Sequence, residues 1–597
     1  MYRTLNCGEL RALHAGSTHT LSGWVHRRRD HGGVIFLDVR DRTGITQVTF
    51  RQEASTAAWE LANDARSEDV ICVSGIVARR PAAMVNEKIL TGAIELQAAE
   101  MTFLSRAKTP PFEVELELDR SGSQSNVREE LRMKYRYLDF RSARPYRNLL
   151  MRHRVISHIR RFLDARGFLE VETPMLTKST PEGARDYLVP ARLHPGSFYA
   201  LPQSPQQYKQ LLMVGGVERY FQIARCLRDE DQRGDRQAEF TQLDLEMSFV
   251  TQNDILDLIE ELYTGMVKEF FPQKRIWKTP WPRMSYDEAM SRYGSDKPDL
   301  RFGLEIEDVS ALFAETTFAP FRDALAGGGV VRALRAPGGK EKLSRASLAQ
   351  LEVAAKAERL PALGQIVVEA EGAVASPLSK YLGEEKLREV CRAVGAEAGD
   401  IVFVAAAPSH IVAAALGSVR LQLGRLFTLI ADDLLAFAYI IDFPLFEPEK
   451  VGGHYAPSHH MFTAPKIEDI PLLETDPGAV RSYQHDLALN GYEIAGGSIR
   501  IHDRKIQEKI FDLIGFSPER KEFFAHMLEA FEYGVPPHGG FAPGIDRFLA
   551  ILLDEPNIRE VIPFPKTGDG RDLMMGAPAG VEPQQLKELH IAVIGKQ

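Results

Sequence analysis

Between residues 20 and 103 the chain alternates apolar and polar residues in short runs, and glycine and other turn-forming residues separate the runs. The clearest runs lie at residues 20–25, 34–39, 44–50 and 71–77. Strands of this length with glycine between them predict a small barrel rather than a parallel sheet. A helical pattern at residues 55–65 interrupts the strands.

A small barrel interrupted by one helix is the arrangement of an OB-fold, a nucleic-acid-binding module. On its strands an exposed Phe36 could stack on an unstacked base, and Gln47 could hydrogen-bond to a base edge. Phe36 could equally be a core residue. Arg27, Arg28 and Arg29 form a basic patch in a chain whose net charge is −9, although three consecutive arginines are also typical of a solvated face.

The chain of 597 residues is too long for one hydrophobic core, so we expect at least three domains. It is 44% apolar and 26% charged, the balance of a globular protein, and no apolar run reaches the roughly 20 residues that span a bilayer. The N-terminus lacks the apolar run of a signal peptide. The four cysteines, which form no CxxC pair, indicate reduced thiols in a cytoplasmic protein: Cys7, Cys72, Cys226 and Cys391.

Three changes in composition indicate domain boundaries. A stretch rich in proline and serine at residues 108–125 predicts a linker. Residues 146–166 carry apolar side chains at helical spacing, and Gly167 is expected to end that helix. From about residue 297 to 424 the chain is rich in Ala, Gly and Val and has few candidate catalytic residues, so we interpret it as an inserted domain.

Two arginines occupy positions that suit a nucleoside triphosphate. Arg228 lies in a charged loop between two predicted strands and can neutralise a phosphate bidentately. Phe240, on the second of these strands, can cover one face of a purine. Arg547 follows Gly544 at the start of an apolar helix, where the helix dipole favours an anion.

Two acidic residues, Asp486 and Glu493, could hold Mg²⁺ through carboxylate oxygens. Each of these signals is weak by itself. Together and in this order, they resemble the three motifs of class II aminoacyl-tRNA synthetases. Motif 1 would be residues 167–174, where Pro174 is the dimer-forming proline; motif 2 is the Arg228 hairpin, and motif 3 is residues 544–547. An OB-fold ahead of this module is similar to the subgroup that charges aspartate, asparagine and lysine.

Further stretches resemble the bacterial aspartyl-tRNA synthetases, and the resemblance covers nearly the whole chain: residues 179–186, 203–209, 293–300 and 496–502. It implies an α+β multidomain fold with an N-terminal OB-fold β-barrel, an antiparallel-sheet catalytic domain and an inserted α+β domain. The implied bounds are 1–105 for the OB-fold anticodon-binding domain, 106–140 for a hinge or linker, 141–296 and 429–565 for the two parts of the catalytic domain, 297–428 for the insertion and 566–597 for a C-terminal extension.

The resemblance also implies the reaction. A homodimer without membrane association would activate L-aspartate with ATP and Mg²⁺ to aspartyl-adenylate, and then transfer the aspartyl group to the 3′ end of tRNA(Asp). The corresponding aspartate-binding residues are Glu182, Ser204, Gln206, Lys209, Asp244, His459 (paired with His460) and Arg500. Lys209 and Arg500 clamp the side-chain carboxylate in that family, and asparagine would leave these buried cations unpaired.

The corresponding ATP-binding residues are Arg228, Glu230, Phe240, Gln242, Glu493, Gly544, Asp546 and Arg547. Among them Arg228 and Arg547 are the expected catalytic residues. Asp486 and Glu493 are the expected metal ligands. Asp486 could also be a simple surface acid.

Five residues correspond to anticodon contacts: Arg29, His31, Phe36, Gln47 and Glu95. Family members restricted to aspartate tRNA usually have leucine at the position of His31, whereas relaxed members that also charge asparagine tRNA often have histidine. The two anticodons differ only at the third base, and a histidine can tolerate either base by stacking or by donating a hydrogen bond. We therefore predict that tRNA(Asn) is also a substrate. The alternative is a strictly discriminating enzyme in which His31 is an ordinary loop residue.

The sequence departs from the family pattern beside the predicted active site. Met461 follows the histidine pair where proline is usual, Ala495 stands where glycine is usual, and Ala542 with Pro543 replaces a more usual apolar or aromatic pair. Two other functions compete with the aspartyl assignment. An asparaginyl or lysyl synthetase is disfavoured by the pairing of Lys209 with Arg500, and a non-catalytic RNA-binding relative would be expected to lose the motif arginines.

Overall fold

The structure is a computed structural model that describes residues 2–115, 127–179 and 183–595. The chain divides into two compact units, Met1–Arg147 and Asn148–Gln597. In the described ranges no helix combines the length and the apolar character that crossing a bilayer requires. The linker predicted at residues 108–125 falls partly outside these ranges.

The N-terminal unit contains a closed barrel with the strand order β1-β2-β3-β5-β4. Its elements are β1 (Thr18–Asp30), β2 (Val34–Asp41), β3 (Gly44–Arg51), α1 (Thr56–Asn63), β4 (Val70–Arg79) and β5 (Ile94–Ser105), followed by the short helices α2 (Glu129–Lys134) and α3 (Arg136–Asp139). Helix α1 begins after Ser55, whose hydroxyl accepts a hydrogen bond from the Ala58 N–H. The OB-fold prediction is confirmed.

Alternation along β2 decides which side chains fill this barrel. Ile35, Leu37 and Val39 are fully buried in the barrel core. Phe36 lies between them in sequence, so its side chain projects from the opposite face, where it is half-buried and outside the core. The interpretation of Phe36 as a core residue is therefore wrong.

The long helix α4 (Ala143–Asp164) includes the boundary between the two units in the chain. It ends shortly before Gly167, which has a positive φ of 75°. The elements in this part of the chain are α4 (Ala143–Asp164), β6 (Leu169–Glu170), β7 (Leu188–Pro190), β8 (Phe198–Ala200), α5 (Gln206–Val214), β9 (Arg219–Leu227), β10 (Glu239–Ser248), α6 (Gln252–Phe270), β11 (Arg275–Ile276), β12 (Arg283–Ser285) and α7 (Tyr286–Tyr293).

A five-stranded antiparallel sheet with helices follows, inside the range predicted as an insertion. Its elements are β13 (Ile306–Asp308), α8 (Ala319–Ala326), β14 (Val330–Ala336), α9 (Gly339–Lys342), α10 (Arg345–Ala357), β15 (Gly364–Val368), β16 (Val374–Ala375), α11 (Ser379–Leu382), α12 (Glu384–Ala393), β17 (Ile401–Ala407) and α13 (Ser409–Leu426), with the strand order β13-β14-β17-β15-β16. Both faces of the sheet are covered: Phe403 packs in one apolar cluster, and its neighbours Val402 and Val404 pack in another. A strand buried on both faces needs apolar residues at consecutive positions, which explains the Ala- and Val-rich composition.

The remaining elements return to the larger sheet: β18 (Leu434–Leu435), β19 (Phe437–Ile441), α14 (Leu472–Thr475), β20 (Gln484–Leu489), β21 (Tyr492–Ile499), α15 (Arg504–Leu513), α16 (Pro518–Glu522), α17 (Ala525–Ala530), β22 (His538–Pro543), α18 (Ile545–Leu552) and α19 (Pro583–Glu588). Eight strands form this sheet in the order β12-β19-β20-β21-β22-β10-β9-β6. Its centre is antiparallel, as predicted, whereas the edge pairs β12/β19 and β6/β9 are parallel. Parallel neighbours need a crossover connection, and the connection from β12 to β19 contains the five-stranded sheet.

One face of this sheet packs on helices. Leu243 and Leu245 of β10 join an apolar core with Ile255 and Ile259 of α6 and Phe548 of α18. Burial of each such side chain contributes about 1.5–3 kcal/mol to folding. The intervening residues of β10 point to the opposite face, which is the floor of an open cleft.

Candidate active site

The cleft over the large sheet has a volume of about 450 Å³ and a strongly polar lining. Strand β10 contributes alternate residues, because Phe240, Gln242 and Asp244 line the cleft while Leu243 and Leu245 lie in the core behind it. Gln242 and Gly544 form an isolated β-bridge, which brings the hairpin of β9 and β10 next to the start of α18. The predicted residues that line the cleft are Ser204, Gln206, Lys209, Arg228, Glu230, Phe240, Gln242, Asp244, His459, His460, Glu493, Arg500, Gly544, Asp546 and Arg547.

Four charged side chains form a buried cluster at one end of the cleft. Lys209 Nζ lies 3.0 Å from Asp244 Oδ2 and 3.4 Å from Glu246 Oε2. Arg500 donates from Nε and Nη2 to the two oxygens of Glu246, at 2.9 and 3.1 Å, and from Nη1 to Ser498 Oγ at 2.6 Å. Two cations are therefore balanced by two carboxylates before any ligand binds, as buried charges require.

Glu246 was not predicted from the sequence, although it holds both of the predicted clamp residues. It is fully buried and does not line the cleft. Burial alone would raise its pKa, but Arg500 and Lys209 outweigh burial and lower the pKa of Glu246. Strand β22 passes this carboxylate so closely that a Cβ at Gly540 would collide with Glu246 Oε2, which explains a glycine there.

Two buried polar atoms in this end of the cleft are without a hydrogen-bond partner among the described residues. Asp244 Oδ1 is an unsatisfied acceptor and His460 Nε2 an unsatisfied ring nitrogen. Burial, together with the nearby charges of Arg500 and Lys209, lowers the pKa of His460 to about 3, so this histidine is neutral at pH 7. Its Nδ1 accepts from the Phe462 N–H at 3.3 Å, which leaves the proton on Nε2. The cleft thus offers one orphan acceptor and one orphan donor to a ligand.

The cleft also presents the two motif arginines. The Arg228 guanidinium lies 5.3 Å from the centre of the Phe240 ring, and its Nε is buried without a partner in the described part of the chain. Arg547 donates from Nη1 to the Glu493 carbonyl oxygen and from Nη2 to that of Asp235 at 3.3 Å. Glu230 accepts from Arg236 at 3.5 Å. An aromatic face beside two arginines suits a purine with attached phosphates.

Asp546 lines the cleft, but its carboxylate is fully engaged by the protein. Arg152 Nη1 donates to Oδ1, and the Thr241 N–H donates to Oδ2 at 2.8 Å. Arg152 also donates from Nη2 to Thr241 Oγ1 at 2.7 Å. The pair therefore joins α4, β10 and α18. The sequence analysis did not predict a role for Arg152; its contacts with Asp546 and Thr241 show that it supports the site.

The two predicted metal ligands lie on the β20–β21 hairpin. His459 Nε2 and Gln484 Nε2 lie 3.2 and 2.7 Å from the two oxygens of Asp486, and Glu493 lines the cleft. Burial and the nearby charge of Asp486 raise the pKa of Glu493. Two neighbouring carboxylates supply the oxygen ligands that a hard divalent cation prefers, and Lys297, Arg547 and His459 offset part of their negative charge. In the described ranges no group of three or more ligating side chains forms a metal site, so such a cation would need ligands from a bound substrate or water.

The departures from the family pattern are accommodated by local packing. Met461 is buried in an apolar cluster with Phe462, Phe511 and Phe524. Ala495 lies on β21 in the main core, paired with Pro543 of β22. Glu182 lies outside the described residues.

The predicted anticodon residues cluster on one face of the N-terminal barrel. Arg29 Nη2 donates to Asp38 at 2.7 Å and to Gln47 Oε1 at 3.2 Å, and Gln47 Nε2 donates to Glu95 at 3.2 Å. His31 is exposed in the turn between β1 and β2, and its ring lies 5.7 Å from that of Phe36, at 74°. An exposed histidine and a half-buried phenylalanine beside a polar network form a surface that can receive unstacked bases.

Residues 128–568 match the family described as tRNA synthetases class II (D, K and N), and residues 19–104 match the OB-fold nucleic acid binding domain. The chain belongs to the class II tRNA synthetases and is therefore an enzyme that uses ATP as a substrate. Its relatives carry a narrower name. The aspartate–tRNA(Asp/Asn) ligase of Rubrobacter xylanophilus is 53% identical over 99% of this chain and 97% of that protein.

The aspartate–tRNA ligase of Geobacillus kaustophilus is 50% identical over 100% of this chain and 99% of its own length. Among solved structures, the asparaginyl-tRNA synthetase from Pyrococcus horikoshii shares the fold with a TM-score of 0.58 at 21% identity, covering 95% of this chain and 99% of that one. The aspartyl-tRNA synthetase from Entamoeba histolytica has a TM-score of 0.56 at 19% identity, covering 93% and 90%.

Proposed function

We propose that this enzyme is an aspartate–tRNA ligase, which forms aspartyl-adenylate from L-aspartate and ATP and transfers the aspartyl group to tRNA. The observation that carries the proposal is the buried pair Lys209 and Arg500 in a cleft that Arg228 and Arg547 also line. A substrate carboxylate between the two buried cations has charged hydrogen-bond donors. An asparagine amide would leave part of this donor set unpaired, which costs about 1–3 kcal/mol per buried group.

The charged residues of the cleft account for the first step. The aspartate α-carboxylate attacks the α-phosphorus of ATP, and pyrophosphate leaves. Arg228 and Arg547 would neutralise the phosphate charge that develops in the transition state, and Phe240 would hold the adenine ring. Asp244 Oδ1 would accept a hydrogen bond from the substrate ammonium.

Asp486 and Glu493 are the residues that would hold Mg²⁺, which, when bound, neutralises phosphate oxygens. In the second step a terminal hydroxyl of tRNA, the 3′ one in this class, takes the aspartyl group and AMP leaves. The protein contributes position and charge to both steps, and forms no covalent bond with the substrate.

Amino-acid-dependent ATP–pyrophosphate exchange tests the proposal. The wild-type enzyme should catalyse pyrophosphate exchange with aspartate. The exchange rate with asparagine or lysine should be at least a hundredfold lower, a ratio that corresponds to about 2.7 kcal/mol. Exchange driven by asparagine or lysine would support the corresponding synthetase instead. No exchange with any of the three would support a non-catalytic RNA-binding protein.

We further propose that both tRNA(Asp) and tRNA(Asn) are charged. Relatives named for both tRNAs and a relative named for aspartate tRNA alone have similar identity to this chain, so the proposal rests on His31. This side chain is exposed beside Phe36, where a histidine can stack on a base or donate a hydrogen bond to it and a leucine offers only apolar surface. Aminoacylation of the two purified transcripts decides the matter, because a preference for tRNA(Asp) above roughly a hundredfold contradicts dual charging.

We also propose a cytoplasmic homodimer. Several large apolar side chains of the segment from β6 to β8 are exposed, which is typical of an interface: Leu169, Met175, Leu176, Leu188 and Phe198. The segment includes Pro174, the proline expected at the dimer contact. Sedimentation at micromolar concentration should give twice the mass of the chain.

A further inference from the structure

Three side chains form a hydrogen-bonded chain that runs from a buried histidine to the cleft. Gln206 and Gln210 lie four residues apart on one face of α5, and Gln206 Nε2 donates to Gln210 Oε1 at 3.1 Å. Gln210 Nε2 lies 3.2 Å from His538 Nε2. His538 Nδ1 lies 2.9 Å from the carbonyl oxygen of Pro536. Gln206 lines the cleft, whereas Gln210 and His538 are fully buried and do not.

The carbonyl oxygen of Pro536 fixes the direction of every hydrogen bond in this chain. A carbonyl can only accept, so His538 Nδ1 must carry the proton; the other neutral tautomer would place two lone pairs against each other. Burial lowers the pKa of His538, so the ring is neutral at pH 7. Its Nε2 is then an acceptor and requires the amide nitrogen of Gln210. The Gln210 oxygen in turn requires the amide nitrogen of Gln206.

We propose that His538 and Gln210 are positioning residues that hold the Gln206 amide with its oxygen towards the cleft, and so select a substrate with a protonated α-amine. In the described part of the chain, Gln206 Oε1 makes no hydrogen bond. Together with Asp244 Oδ1, which is also without a hydrogen-bond partner among the described residues, it gives the cleft two acceptors for an ammonium group. A Gln206 amide in the opposite orientation would present N–H groups to the ammonium.

This inference rests on the proposed function, and its test uses succinate, which is aspartate without the ammonium. Gln210→Met keeps the side-chain volume but frees the Gln206 amide to rotate. The KM for aspartate in pyrophosphate exchange should rise about tenfold or more, whereas the inhibition constant of succinate and the KM for ATP should change less than twofold. His538→Leu should have the same effect. His538→Gln restores an acceptor towards Gln210 and should recover most of the affinity for aspartate.

A purely structural role predicts a different pattern. If Gln210→Met and His538→Leu weaken the binding of aspartate and of succinate equally, or weaken the binding of neither, the proposal is overturned. It is also overturned if His538→Gln behaves like His538→Leu. Gln252→Met is the matched control, because this amide also bonds within the same unit, to the carbonyl oxygens of Tyr483 and Gln484, outside the chain of three. Absence of aspartate-dependent exchange in the wild type would instead refute the proposed function.

Discussion

Arg500→Leu is expected to abolish aspartate activation and to destabilise the fold, for two separable reasons. The substrate carboxylate loses a charged partner, and Glu246 loses two hydrogen bonds of 2.9 and 3.1 Å while it remains fully buried. Breaking a buried ion pair by removing one partner costs about 3–5 kcal/mol. Lys209 Nζ lies 3.4 Å from Glu246 and would still offset part of its charge. We therefore expect the unfolding free energy to fall by about 3 kcal/mol, the lower end of that range.

The second substitution Glu246→Gln separates the two effects. Removal of the orphaned charge should return part of the lost stability, because the remaining amide is cheaper to bury than a carboxylate. It should not restore activity, because the substrate carboxylate still lacks Arg500. The expected loss in kcat/KM for aspartate is at least about a hundredfold, from a few kcal/mol of lost charged hydrogen bonding.

Denaturant unfolding and aspartate-dependent pyrophosphate exchange measure the two quantities on the same preparations. Arg504→Leu is the matched control: among the described residues this half-buried arginine forms ion pairs with Glu508 and Glu532, and ion pairs near the surface contribute about 0–1 kcal/mol. Aspartate activation within tenfold of wild type would refute the assignment of Arg500 to the substrate. A double variant no more stable than Arg500→Leu would refute the argument from the orphaned charge.

Three further outcomes are expected. His31→Leu should raise the preference for tRNA(Asp) over tRNA(Asn) by about 1–3 kcal/mol, and equal aminoacylation of both transcripts by the variant would contradict the role given to His31. The surroundings of Glu246 lower its pKa in the folded protein. The ionised Glu246 therefore contributes its full stabilisation above the pKa of the unfolded chain, about 4.3, and this contribution is lost as the pH falls through the lower pKa of the folded state. The unfolding free energy of Glu246→Gln should therefore decline less steeply below about pH 4.3 than that of the wild type, and parallel acid limbs would contradict this. Phe198→Glu should shift sedimentation at micromolar concentration towards the monomer. Val353→Glu is the control and should leave the dimer intact, because Val353 is exposed on α10, away from the segment from β6 to β8 in the chain. An unchanged dimer in Phe198→Glu would place the interface elsewhere.

The sequence by itself determined what depends on local periodicity and on motif order. Alternation along residues 34–39 predicted a strand of the barrel, and the structure shows β2 with Ile35, Leu37 and Val39 inside. The glycine-led helix start at residues 544–547 predicted Arg547 in the first turn of an apolar helix, and α18 begins there, at Ile545. These inferences succeed because side-chain direction in a strand or a first helical turn follows from the backbone alone.

The tertiary structure decided which buried charges meet. Glu246 pairs with Arg500 across 254 residues, and Arg152 with Asp546 across 394. A glutamate on a strand and an arginine on a helix each fit many local roles, and no spacing connects positions so far apart. Burial then gives these contacts their weight, because a charge removed from water must find its partner wherever the fold provides one.

The same limit applies to orientation within the site. Sequence resemblance placed Gln206 among the aspartate-binding residues, but the direction of its amide depends on His538, 328 residues beyond Gln210 in the chain. A hydrogen-bonded chain acquires its direction only from the group at its end, here the carbonyl oxygen of Pro536. The motifs therefore identify which side chains line the cleft. The direction of the hydrogen bonds among those side chains depends on packing between elements that are far apart in the sequence.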